Sequence, residues 1–221
     1  MTPWRFTQWL TANRMHCRRE LIIAFDLIAA CVIGLLFLDR WLAALLSEFR
    51  QSPAVLVLSF VPDRVQLSIL FTFGMLFLIA YRGITGDRFL ADRGMFVLGC
   101  GAAAGFAAHV LKIVFGRVPP EALLVDGTYE FHFFDGGSGF DSFPSSHAAM
   151  AAGVATAASA LWPEYRVIFI VLAALVAASR FLIGAHYLSD ALVGFAVGLG
   201  TVVLVRMIFH LYGIQLAQKS R

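Results

Sequence analysis

An all-α, polytopic membrane protein is the fold class this sequence predicts: a bundle of six transmembrane helices with an N-terminal interfacial helix. Two observations carry that reading. Of the 221 residues, 60% are hydrophobic and 14% charged, with a mean hydropathy of +0.80. Soluble domains average roughly 45–50% apolar and about 25% charged. So few charges cannot cover a water-soluble globule, and so much apolar surface excludes a disordered chain. The apolar residues also fall into runs near the roughly 20 residues needed to cross a bilayer. Five or six such runs with short connections use up the chain, so one membrane-embedded domain, residues 1–221, is expected.

Taken in order, Thr2-Pro3-Trp4 reads as a helix start, since proline is tolerated in a first turn. Trp4, Phe6 and Trp9 with Arg5 and Arg14 point to a short helix lying at the membrane surface. The first span is expected over Leu21–Leu38, interrupted only by Asp26. It is long for a signal-peptide core, and no small-residue cleavage site precedes Asp39-Arg40-Trp41. The stretches Trp41–Leu46 and Pro53–Pro62 are too short to cross and read as interfacial. Five more spans follow: Val65–Tyr81, Met95–Phe115, His147–Trp162, Val167–Arg180 and His186–Leu211. Gly101 with Gly105, and Gly194 with Gly198, form G-x-x-x-G pairs compatible with close helix packing. Cys17, Cys31 and Cys100 have neither metal-ligand nor disulfide spacing.

Six spans place both termini on one side, which then holds 11 of the 17 basic residues. The positive-inside tendency makes that side cytoplasmic. The opposite face holds nine of the 14 acids and is expected to be extracytoplasmic.

That outer face also collects the chemically suggestive residues. Lys112 ends the third span and Arg117 follows it; Pro144-Ser145-Ser146-His147 opens the fourth; Ser179-Arg180 closes the fifth; His186 and Asp190 open the sixth. Any one of these cations at a helix end has an ordinary explanation in snorkelling to the interface. Together they describe a site for an anion, because ionisable groups at membrane depth are expensive and forked donors suit a tetrahedral oxyanion. The free N–H groups at the start of the fourth span, with Ser145, Ser146 and His147, would face the same anion. Ser145 is equally an ordinary N-cap, and the two roles are compatible. His186 and Asp190 are four residues apart and share a helical face. Asp190 could accept the Nδ1 proton of His186 and leave Nε2 to attack phosphorus, while His147 protonates the departing oxygen and then activates water. Metal binding is the competing use of His and Asp; the clustered cations would repel a metal and carboxylates are few, so no metal and no cofactor are expected. His109, one turn before Lys112, reads as a hydrogen-bonded residue between helices.

At these residues the sequence resembles the type 2 phosphatidic acid phosphatases, which share their core with vanadium-dependent haloperoxidases. The third family motif (Ser-Arg, five residues, His, three residues, Asp) is met by Ser179, Arg180, His186 and Asp190. The second, Pro-Ser-Gly-His, appears as Pro144-Ser145-Ser146-His147, with Ser146 in place of glycine. The first, Lys, six residues, Arg-Pro, keeps Lys112 and Pro120 but has Pro119 at the arginine position, with Arg117 two residues earlier. The resemblance implies His186 as nucleophile, Asp190 as its partner and His147 as acid and base. It implies Lys112, Arg180, Ser145 and Ser146 as phosphate ligands without a metal. Pro119 departs from the family pattern, and Arg117 is expected to reach inward and bind phosphate in place of the missing arginine.

The expected function is metal-independent dephosphorylation of a membrane lipid phosphate or pyrophosphate at the periplasmic face of a bacterial inner membrane. Lipid A 1-phosphate is the first candidate substrate, followed by undecaprenyl pyrophosphate and phosphatidylglycerophosphate. A lipid-to-lipid phosphotransferase and a non-catalytic lipid-binding protein on the same scaffold are the alternatives. The expected partners are the bilayer and a lipid substrate, with no nucleic acid.

Overall fold

The computed structural model describes residues 3–50, 52–57, 67–137 and 139–212. Among these the chain is all-helical, without a strand beyond isolated bridges of Arg117 to Phe131 and Asp141. The helices are α1 (Pro3–Ile33), α2 (Asp39–Ser47), a helical turn α3 (53–57), α4 (Leu67–Thr85) and α5 (Arg88–Phe115). They continue with α6 (Pro120–Asp126), α7 (Ser146–Leu161), α8 (Arg166–Leu182) and α9 (Leu188–Leu211).

The N-terminal reading needs correction. The separate interfacial helix and first span form one unbroken helix from Pro3 to Ile33. The physical reason is in the sequence: no glycine or proline lies between Trp4 and Ile33 to interrupt it. A π-helical turn, Gly34–Leu38, then joins α1 to α2, with the Asp39 N–H donating to the Gly34 carbonyl. Such a turn inserts one extra residue and changes which side chain faces inward. Trp41–Leu46, expected as an interfacial stretch, is helical within α2. Residues 53–57 of the other expected interfacial stretch form α3, and its remainder, with the start of the second span, lies outside the described residues.

Among the described residues, four helical stretches are long and apolar enough to cross a bilayer: Arg18–Ser47, Phe89–Phe115, Pro163–Leu182 and Leu188–Leu211. The apolar described part of α4, Phe73–Thr85, is shorter, and α7 has 16 residues. Large side chains such as Phe25, Phe37, Phe73, Phe106 and Val167 are exposed, whereas the interior is rich in alanine and glycine around a few larger residues such as Phe96 and Val202. Without a hydrophobic drive between helices in lipid, close backbone approach holds such a bundle together. α7 is the clearest case: it packs on α5, α8 and α9 and buries Ala148, Ala149, Ala152, Gly153, Ala155, Ala157 and Ala158. A Cβ on Gly194 of α9 would come within 2.6 Å of the Ser145 carbonyl oxygen, and one on Gly198 within 2.7 Å of that of Ala149. The α9 glycine pair is therefore the seam along which α7 and α9 meet, and it brings the starts of the two helices together. The Ser145 N–H donates to the Asp190 carbonyl at 3.0 Å across that junction.

Candidate active site

The polar cluster forms where the end of α5, the start of α7, the α8–α9 turn and the start of α2 converge. α5 starts on an Asp87 cap that accepts from the Leu90 N–H and carries Lys112 in its last turn. It ends at Gly116, in the left-handed region at φ 53°, where a Cβ would overlap the His132 carbonyl oxygen. Past Gly116 the chain is strapped to the loop before α7. The His132 N–H donates to the Gly116 carbonyl at 2.7 Å, and the Ser142 N–H to the Arg117 carbonyl at 3.0 Å. Phe131 and Phe143 pack edge-on to each other, and Phe143 also packs edge-on to Phe115, which closes the strap. On the other side, Gly184 (φ 77°) turns the chain between α8 and α9. The Arg180 carbonyl accepts from the N–H groups of both Ala185 and His186, so the backbone ties Arg180 to His186.

His186 Nδ1 lies 2.7 Å from the Ser142 carbonyl oxygen. A carbonyl only accepts, so Nδ1 carries the proton and Nε2 of the neutral ring keeps its lone pair. The expected acceptor was Asp190, whose carboxylate is 3.8 Å from Nδ1, too long for a hydrogen bond. Asp190 instead accepts from the Ser142 hydroxyl (2.6 Å), the Tyr187 N–H (2.8 Å) and the Arg117 guanidinium. Ser142 is thus the bridge: its hydroxyl is held by Asp190 while its carbonyl holds His186.

Arg117, expected on the substrate phosphate, is 1% exposed and is occupied within the protein. It pairs with Asp190 through one nitrogen and with Asp39 through the other at 2.8 Å, and also donates to the Ser189 hydroxyl at 2.7 Å. The rings of Tyr129, Phe131 and Tyr187 surround it with centroids 5.0, 5.0 and 4.0 Å away. Burial pulls its pKa down, but Asp190, Asp39 and Tyr129 outweigh that and hold it above the ordinary arginine value. Asp39 is likewise saturated, accepting from Arg117, the Ser189 N–H and hydroxyl, and the Tyr129 hydroxyl. Burial first, and the charge of Asp39 with it, push the Tyr129 phenol up to about 12 against the pull of Arg117.

The remaining expected residues stand at the same end of the bundle. The Lys112 ammonium donates to the Asp141 carbonyl, 4.0 Å from the Asp141 carboxylate, and its charge is in range of Asp190 and Arg180. Arg180 is buried at the end of α8. Ser145 caps α7, its hydroxyl accepting from the Ala148 N–H, and Ser146 and His147 open the first turn. His109 is exposed on α5 rather than held between helices. Reading the sequence missed Asp39, Ser142 and Ser189. Ser142 and Ser189 sit beside recognised motif residues, but nothing along the chain marks Asp39 as their partner.

A buried cluster of charged and polar side chains at the helix ends of a small-residue helical bundle is the arrangement these residues define. The chain belongs to the PAP2 superfamily, whose profile matches residues 93–213. Among curated proteins, the chain is 36% identical over 111 residues to the lipid A 1-phosphatase of Rhizobium johnstonii, covering 50% of this chain and 46% of that one. It is 34% identical over 111 residues to the lipid A 1-phosphatase of Rhizobium etli, covering 50% and 48%. The chain thus spans about half the length of the curated relatives it matches. No solved structure matches it significantly.

Proposed function

We propose that this protein is a lipid phosphatase that works through a phosphohistidine on His186. The observation that carries the reading is the Ser142 carbonyl on His186 Nδ1, which leaves Nε2 nucleophilic. It stands at the bundle end that also bears Lys112, Arg180 and the α7 N-terminus. In the first step Nε2 bonds to phosphorus, the P–O bond to the lipid breaks, and His147 gives its proton to the leaving oxygen. In the second, His147 takes a proton from water, the hydroxide bonds to phosphorus, and the P–N bond breaks to release phosphate and His186. Lys112, Arg180 and the Ser146 N–H at the start of α7 would bind the phosphoryl oxygens, supplying the positive charge that a metal otherwise would, while the Ser145 N–H stays on the Asp190 carbonyl. Asp190 acts at one remove, holding Ser142 so that its carbonyl fixes the imidazole tautomer.

The architecture that belongs to this proposal is a single domain of six spans, with α4 and α7 added to the four long apolar helices. Its termini are cytoplasmic and its site faces the periplasm of a bacterial inner membrane. The acyl chains of a substrate then remain in lipid, sparing about 0.8 kcal/mol for each methylene otherwise drawn into water. Both Rhizobium relatives carry the name lipid A 1-phosphatase, which supports lipid A 1-phosphate as the first substrate to try. Undecaprenyl pyrophosphate and phosphatidylglycerophosphate come next.

The test is phosphate release by the purified full chain from a panel of these three lipids and phosphatidic acid, with and without chelator, beside His186→Ala. Release should persist in chelator and fall on the order of 10³-fold or more in the variant. Undiminished release by His186→Ala would remove the nucleophile and the mechanism with it.

A further inference from the structure

Behind His186, on the α2 side, lies a narrow pocket lined by Asp39, Leu46, Arg50, Pro120, His186 and Tyr187, among others. Its charged groups are unequally committed. Asp39 is saturated by Arg117, Ser189 and Tyr129. Pro120 offers the cavity neither charge nor N–H. Arg50, just past the end of α2, has its Nε buried with no hydrogen-bond partner among the described residues. Its guanidinium occupies the space that a side chain at residue 184 would fill, so Gly184 is what admits it to the turn leading into His186. An arginine wedged against the turn that presents a histidine, with a donor left over, is arranged to receive an oxyanion.

We propose that Arg50 is a substrate-binding residue of this site, donating from the α2 side to the phosphoryl group that reaches His186. The proposal rests on the phosphatase reading above. Arg50 lies outside the segment matched by the superfamily profile, residues 93–213, so the match assigns it nothing. It also supplies what Arg117 cannot, because that guanidinium is fully engaged by Asp39, Asp190 and Ser189. Burial presses the Arg50 pKa down, with Glu121 offsetting part of the effect. An arriving anion relieves that strain on the charge.

The experiment uses the detergent-solubilised full chain and two probes: a short-chain phosphatidic acid as substrate and orthovanadate as a tetrahedral phosphoryl mimic. Arg50→Ala should raise both the KM and the vanadate inhibition constant about tenfold or more, the loss expected of one charge-assisted contact. Arg50→Lys should recover part of it. Gly184→Ala should cost more binding in the presence of Arg50 than in the Arg50→Ala background, because strain from the positive φ affects both backgrounds but crowding of the guanidinium only one. A properly folded Arg50→Ala protein with unchanged KM and vanadate inhibition overturns the proposal while leaving His186 untouched. Should the wild type hydrolyse no lipid, protection against thermal unfolding by vanadate still decides. Equal protection of wild type and Arg50→Ala refutes the contact, and weaker protection of Arg50→Ala supports it.

Discussion

Arg117 shows how far a side chain's role depends on what it meets. It is buried to 1% exposure between two carboxylates, Asp39 and Asp190, that are themselves inaccessible. Removing one member of such a cluster leaves an uncompensated buried charge, which costs about 3–5 kcal/mol. Arg117→Ala should therefore lower the thermal stability of the detergent-solubilised protein sharply, and Asp39→Ala should do the same from the opposite end of the sequence. A variant that melts like the wild type but binds substrate poorly would return Arg117 to the phosphate. The motif could be read along the chain, yet the direction of the guanidinium could not. The Pro119-Pro120 pair stands beside Arg117 in sequence, but the carboxylate that captures it is 78 residues away. Ser142 was hidden for a similar reason, since it acts on His186 through its backbone carbonyl, which every residue type carries.

Helix by helix, the apolar runs of the sequence are found as helices close to the expected limits, because hydropathy and the absence of breakers are local properties. What the runs could not show is which glycines matter. Gly198 and Gly200 are neighbours on α9, but a Cβ at Gly198 would press on the Ala149 carbonyl and Ala152, whereas one at Gly200 meets nothing within 4 Å. Gly198→Val should therefore part α7 from α9 and abolish both stability and turnover. Gly200→Ala should be neutral or stabilising by about 0.5–1 kcal/mol, the usual gain from removing a mid-helix glycine. Thermal melting of the two variants in the same detergent checks the contrast, and equal effects would show that the seam is not where the two helices bear on each other. The same local reasoning went astray at α1, where a surface helix and a span were expected and one continuous helix formed. Charge and aromatic content suggested a boundary that the backbone, lacking any breaker, did not make.

At the scale of the whole molecule, the prediction concerns topology. Ile84 and Val125 are both strongly exposed, at 85% and 80%. They flank opposite ends of α5, whose 28 residues extend about 42 Å. If α5 spans the membrane within a six-span arrangement, a membrane-impermeant maleimide should label Val125→Cys from outside intact cells and Ile84→Cys only after permeabilisation. Cys31 and Cys100 are buried, and the unmodified protein controls for the native thiols. Labelling of both variants from the same side would break the proposed topology.

The sequence by itself determined that this chain is helical, too apolar for water and equipped with Lys112, Ser145, His147, Arg180, His186 and Asp190 at helix ends. Those properties reside in composition, in the lengths of runs and in spacings of a few residues, all readable without knowing what packs on what. Only the tertiary structure decided that Asp39 and Asp190 enclose Arg117, that Ser142 rather than Asp190 holds the imidazole, and that Arg50 lies against Gly184 and lines one pocket with His186. Each of these joins segments from 44 to more than 100 residues apart. A hydrogen bond of 3 Å is selected by the packing of whole helices, here by a π turn and a glycine seam, and leaves no periodic trace in the chain.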